Sequence, residues 1–158
     1  MSVIDYFGSN VEFRVRPKAI SADFRPLWRM TVVLLILRLA SYSNRSTLSR
    51  LHVLNWAIRT EENRDNLRLV ITGDLPPDKI IVRIEPSLVR AIELAKGEGL
   101  VDYVKGKGAK LTQKGIEAVD KVLSEPDLLS EEKLFLREIG KRNLTEQLIN
   151  KIFSEEFR

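Results

Sequence analysis

The stretch IIVRIEPSLVRAIELAKGEGLVDYVKGKGAKLTQKG, residues 80–115, decides the fold. Its reading is a strand over Ile80-Ile81-Val82-Arg83-Ile84, a helix from Pro86 to Lys96, and a hairpin turning at Gly106-Lys107-Gly108. A further helix opens after Leu111-Thr112. Pro86 has a fixed φ and no amide donor, which suits a first helical turn, where that amide has no intrahelical partner. Gly97 and Gly99 can close the helix in a left-handed conformation without a Cβ clash. The Gly-Lys-Gly triplet between two apolar runs supplies the positive φ that a tight reversal needs. Thr112 is placed to cap the next helix through its hydroxyl.

Strand, helix, hairpin and helix in that order form the pattern of a winged helix. The expected class is therefore mostly α with a small β-hairpin or three-stranded sheet. It is a winged helix-turn-helix domain with an N-terminal strand or arm and C-terminal helices. The expected divisions are an arm over 1–26, the winged-helix domain over 27–123 and a helical extension over 124–158.

Outward from the deciding stretch, Val11-Glu12-Phe13-Arg14-Val15-Arg16 alternates with period two, the mark of a half-buried strand. Leu27 to Ser41 is apolar nearly all round, as a helix covered on most sides must be. It is too short for a bilayer, which needs about 20 apolar residues. Tyr42-Ser43-Asn44-Arg45-Ser46 reads as a polar break, and Thr47 to Thr60 as a helix with Leu51, Leu54 and Ile58 on one face. Glu61 to Leu69 fits a short helix with acids in its first turn, followed by a loop over Gly73 to Asp78. These segments push the Pro86 helix far from its predecessor, whereas a standard helix-turn-helix uses about 3 to 4 residues. Beyond the hairpin, Gln113 to Leu123, Glu131 to Ile139 and Asn143 to Phe153 read as helices. Gly140 is a stop, and Asn143 and Glu146 are spaced like a capping box.

The chain has 158 residues, 44% of them hydrophobic and 30% charged, the make-up of an ordinary globular protein. It has no cysteine, which excludes disulfides and thiolate metal sites. The N-terminus lacks the basic region and apolar block of a signal peptide, so a cytoplasmic location and no membrane association are expected. The net charge of +4 permits nucleic-acid contact without requiring it.

No constellation for catalysis emerges, and the expectation is a protein that is not an enzyme and uses no cofactor or metal. Gly97-Glu98-Gly99 lacks the third glycine of a dinucleotide site. Lys105 to Lys110 lacks the spacing of a phosphate-binding loop. Glu61-Glu62, Glu131-Glu132 and Glu155-Glu156 lie in polar stretches, whereas a catalytic carboxylate needs desolvation to move its pKa. His52, the only histidine, is assigned a structural place at a core edge.

The Pro86 helix is sorted by face. Leu88, Ala91, Ile92 and Ala95 form the buried side, leaving Val89, Arg90, Glu93, Leu94 and Lys96 outward. Base edges are read by cationic and amide side chains, and phosphates repel Glu, so this mixed face fits a protein contact better than a groove contact. Candidate DNA contacts are Arg90, Lys96, Lys105, Lys107 and Lys110. Candidate partner contacts are Val89 and Leu94, with Leu148, Ile152 and Phe153 from the last helix.

Arg25-Pro26-Leu27-Trp28-Arg29-Met30, Leu51-His52-Val53-Leu54-Asn55-Trp56-Ala57, Val82 to Leu88 and Ala95 to Val101 together resemble the small middle components of ABC-three-component systems. These are bacterial anti-phage modules of the Lamassu kind. The resemblance spans about residues 25 to 123. It implies a non-catalytic winged-helix subunit that binds an SMC- or Rad50-like ATPase and links it to an effector subunit in antiviral defence, with DNA contact left open. The alternative is a winged-helix transcription regulator that binds DNA.

Overall fold

The computed structural model describes residues 26–105 and 108–154. The alternating stretch Val11 to Arg16, the turn residues Gly106 and Lys107, and Glu155-Glu156 lie outside the described residues.

The apolar stretch at the start forms α1, Pro26–Leu39, in which every residue from Arg29 to Leu37 is buried. Such a helix has no solvent stripe, and it becomes the axis of the fold. α2 (Leu48–Ile58), α4 (Pro86–Gly97), α5 (Gln113–Leu123), α6 (Ser130–Ile139) and the sheet all pack on it. Burying each of its large aliphatic side chains contributes about 1.5–3 kcal/mol. α3, Glu61–Thr72, packs on α2. The last helix, α7 (Glu146–Ser154), packs on α2 and on a 3-10 turn at Pro77–Lys79.

The helix boundaries follow local chemistry. Thr47, Thr60 and Thr112 each turn a hydroxyl back on a free amide at the start of α2, α3 and α5, accepting from Arg50 at 3.2 Å, Asn63 at 3.0 Å and Gly115 at 3.0 Å. α4 begins on Pro86 and ends where Gly99 turns to φ 75°, with the Leu100 amide returning to the Ala95 carbonyl at 2.9 Å. Gly97 is the helix's last residue, so Gly99 alone makes the left-handed closure. The C-terminal end of α5 is closed by a buried lysine, as Lys133 donates to the carbonyls of Val122 and Glu125, both at 2.6 Å. Burial holds the Lys133 pKa below its ordinary value. Asn143 and Glu146 do not form the expected capping box. Thr145 caps α7 by accepting from the Leu148 amide at 3.1 Å, and Glu146 reaches across to Arg50 instead.

The sheet has three antiparallel strands in the order β1-β3-β2, where β1 is Arg45–Thr47, β2 is Val101–Val104 and β3 is Gly108–Leu111. Two expectations are corrected here. Residues 80–84 are extended but have no ladder partner among the described residues. Ile80 and Val82 face the core while Ile81 points outward, 66% exposed. Their alternation reports one-sided burial, and burial does not require pairing. The third strand comes instead from the polar break, where a 3-10 turn at Tyr42–Asn44 leads into β1.

Gly108 sits between both partners of β3, and a Cβ there would lie 1.9 Å from the Ser46 carbonyl oxygen. Only glycine lets the strands approach so closely.

The core is continuous from α1 to α7, since Phe135, Leu136, Leu144, Ile149 and Ile152 join the same cluster as Leu35, Leu54 and Leu88. The described residues after 124 therefore contribute side chains to the same core as the rest of the fold.

Candidate functional site

α4 presents the two faces its sequence predicts. Leu88, Ala91, Ile92 and Ala95 are buried, while Arg90, Glu93, Leu94 and Lys96 are exposed and Val89 is half-buried. α4 is anchored from below. Glu85, immediately before its first turn, takes a hydrogen bond from Arg29 of α1 at 3.0 Å and ion-pairs with Arg59 after α2. Arg29 also donates to Asn55 of α2 at 3.0 Å, so one carboxylate and one guanidinium tie three helices together. His52, also on α2, is 3% exposed and belongs to the core itself rather than to its edge. Neither ring nitrogen has a hydrogen-bond partner among the described residues. Desolvation lowers its pKa from 6.5, and the nearby Glu85 charge only partly opposes this.

Two clefts flank the sheet and share Thr47 and Val104 on their common rim. The first, about 520 Å³, lies between the start of α2, the outer side of α4 and the hairpin. Leu48, Val89, Ile92, Tyr103 and Val104 line it, together with Thr47, Ser49 and Gly108. Among the described residues, no charged side chain lines it. The second, about 540 Å³, lies on the opposite side of β1, against the turn between α6 and α7. Among the described residues its lining carries Arg45, Arg50, Lys141, Arg142 and a single carboxylate, Glu146.

The candidate partner contacts are dispersed. Val89 lines the apolar cleft, and Leu94 stands exposed on α4 beyond it. Ile152 is buried at 2% exposure, and Leu148 and Phe153 are half-buried against the core, so this stripe on α7 packs largely within the chain.

The candidate DNA contacts are also scattered. Lys96 is engaged by Asp102 at 3.6 Å and lies 5.3 Å from the Tyr103 ring centroid. Arg90 is exposed on α4, Lys105 is exposed after β2, and Lys110 is half-buried in β3; Lys107 lies outside the described residues.

Leu48, Tyr103, Arg45, Lys141 and Arg142 escaped the sequence reading. Tyr103 had a signal, since it sits in a hairpin strand where every side chain takes one face or the other. Arg45 and Lys141 lie far apart in the chain, and only the packing of the α6–α7 turn on β1 joins them.

Among the described residues, no group of histidine and carboxylate side chains comes together as a metal site, and no helix is long and apolar enough to cross a membrane. The chain matches no family model, and no curated protein or solved structure is similar to it.

Proposed function

We propose that this protein is a non-catalytic winged-helix subunit that engages a protein partner through α4 and the hairpin. The partner implied by its sequence resemblance is an SMC- or Rad50-like ATPase, which the subunit links to an effector in a cytoplasmic anti-phage complex. The helix and strand order, with β1 joining α1 to α2 and β3 central in the sheet, supports the winged-helix reading. α3 and the extended residues 80–84 then stand as an insertion before the helix that a DNA reader would place in the major groove.

One observation carries the reading. Among the described residues, the cleft beside that helix is lined by Leu48, Val89, Ile92, Tyr103 and Val104 and by no charged side chain. A surface that meets a polyanion needs cations there, because neutralised phosphates supply most of the binding free energy. An apolar cleft with an aromatic side chain at its wall is instead the centre of a protein interface.

Co-expression with an SMC- or Rad50-like ATPase of the same gene neighbourhood tests this. A stable complex is expected, lost on Val89→Glu or Tyr103→Ala and kept on Leu134→Glu, since Leu134 is exposed on α6, away from the cleft. Failure to form that complex, or a complex indifferent to Val89→Glu and Tyr103→Ala, refutes the reading. An enriched duplex motif from a selected-oligonucleotide assay would favour a transcription regulator.

A further inference from the structure

The second cleft has the opposite chemistry. Arg45, Lys141 and Arg142 line it, and Lys105 follows directly on its rim residue Val104. None of these four cations has an ion-pair partner among the described residues. Arg45 also stands directly across the ladder from Lys110. Like charges in that register repel, so the sheet is less stable for having both. Asp102, on the far side of Lys110, does not relieve Arg45, because it is held by Lys96 at 3.6 Å.

The cleft is firmly built. Its floor is Arg50, 5% exposed, which donates to the Leu144 carbonyl and to the Ala40 carbonyl and pairs with Glu146 at 3.2 Å. The one carboxylate that the described residues contribute to the lining is thereby occupied. At the mouth stands Tyr42, 56% exposed, followed by Ser43 and Asn44, which both adopt left-handed backbone (φ 53° and 56°). Asn44 is steadied by Arg38, which donates to its side-chain oxygen at 3.2 Å.

We propose that this cleft binds the phosphodiester backbone of a single-stranded nucleic acid. Arg45, Lys141 and Arg142 take the phosphates, and Tyr42 stacks a base. Uncompensated cations beside an exposed aromatic ring are the combination that single strands require. An acidic protein segment would use the cations but does not of itself engage Tyr42, whereas every base has a face to stack on it. The site shares only the rim residues Thr47 and Val104 with the apolar cleft, none of the substituted side chains lies in that cleft, and its success or failure leaves the partner reading standing.

Fluorescence anisotropy of the full chain with a labelled oligothymidine, between about 50 and 200 mM salt, tests the proposal. The parent protein is expected to bind, with affinity falling steeply as salt rises. Replacing Arg45, Lys141 and Arg142 together by Ser should weaken binding about tenfold or more and flatten the logarithmic salt slope by about 2. Tyr42→Ala should weaken it at least about fivefold. The control variant Lys79→Ser, Arg83→Ser, Lys121→Ser removes the same charge from surfaces outside the cleft and should bind within twofold of the parent, and thermal melting certifies that each variant is folded. Several results would overturn the assignment: no binding at low salt, equal weakening by the control, or tighter binding of a duplex or a polyglutamate peptide than of the single strand.

Discussion

Arg29 and Glu85 meet at 3.0 Å beneath the start of α4, with Arg29 3% exposed and the Glu85 side chain 19% exposed. The pair fixes the helix that carries the outer face to the helix that forms the core. Removing one member of a buried pair leaves the other desolvated and uncompensated, which costs about 3–5 kcal/mol. Glu85 also serves Arg59 and Asn55, though its partial exposure lets water soften the loss. Glu85→Ala is therefore expected to destabilise the fold by about 3 kcal/mol in a denaturant titration. A loss below about 1 kcal/mol would mean that α4 is held by its apolar side alone.

Much of this was legible in the chain. Pro86, Thr112 and the spacing of Leu88, Ala91, Ile92 and Ala95 gave α4 and its two faces, because capping and helical periodicity are local effects. β1 was not legible, since Arg45-Ser46-Thr47 is short and has no apolar alternation; it is a strand only because β3 lies alongside. The reverse error, at Ile80 to Ile84, has the same root, as ladder pairing depends on which segments packing brings together. The apolar cleft was half visible, through Val89 on the outward face. The cationic one was invisible, because its walls come from opposite ends of the described chain.

Two glycines on the helices make opposite forecasts. Gly115 is buried in the first turn of α5, and a Cβ there would lie 2.0 Å from the Leu100 carbonyl oxygen. That atom is backbone and cannot swing aside, so Gly115→Ala must push α5 away from the hairpin. Overpacking of this kind costs about 1–3 kcal/mol. Gly97, at the end of α4, has open space around its would-be Cβ, and its backbone is helical. Gly97→Ala should stabilise by about 0.5–1 kcal/mol, through the lower entropy of the unfolded chain. Thermal denaturation of the pair reads both signs at once.

The buried imidazole makes stability depend on pH. His52 has its pKa lowered from 6.5 by desolvation, so in acid the unfolded chain binds a proton that the folded chain resists. Stability rises with pH wherever the unfolded state holds more protons. The His52 contribution is thus flat above about pH 6.5 and falls as pH drops below that value. His52→Leu should remove this loss, leaving a stability profile flatter between about pH 6.5 and 5 than that of the parent. Because the chain has a single histidine, the comparison needs no other correction. Identical slopes in parent and variant would show that the site admits the proton after all.

Arg50 holds the C-terminal helix in place. It joins α2 to the Ala40 carbonyl behind α1, to the Leu144 carbonyl before α7 and to Glu146 within α7. Thr47 adds a bond to the same carboxylate at 3.2 Å. A planar fork can make these contacts together, whereas a lysine offers one point charge on a flexible stem. Arg50→Lys is accordingly expected to cost about 1–3 kcal/mol, since it leaves buried acceptors unmatched. The loosened region should be local, because Ile149 and Ile152 still anchor the middle of α7 in the core. Limited proteolysis should therefore speed up at Lys141 and Arg142 before any change in the cleavage of α1 or α4. Uniform acceleration across the chain would instead make Arg50 a support of the whole core.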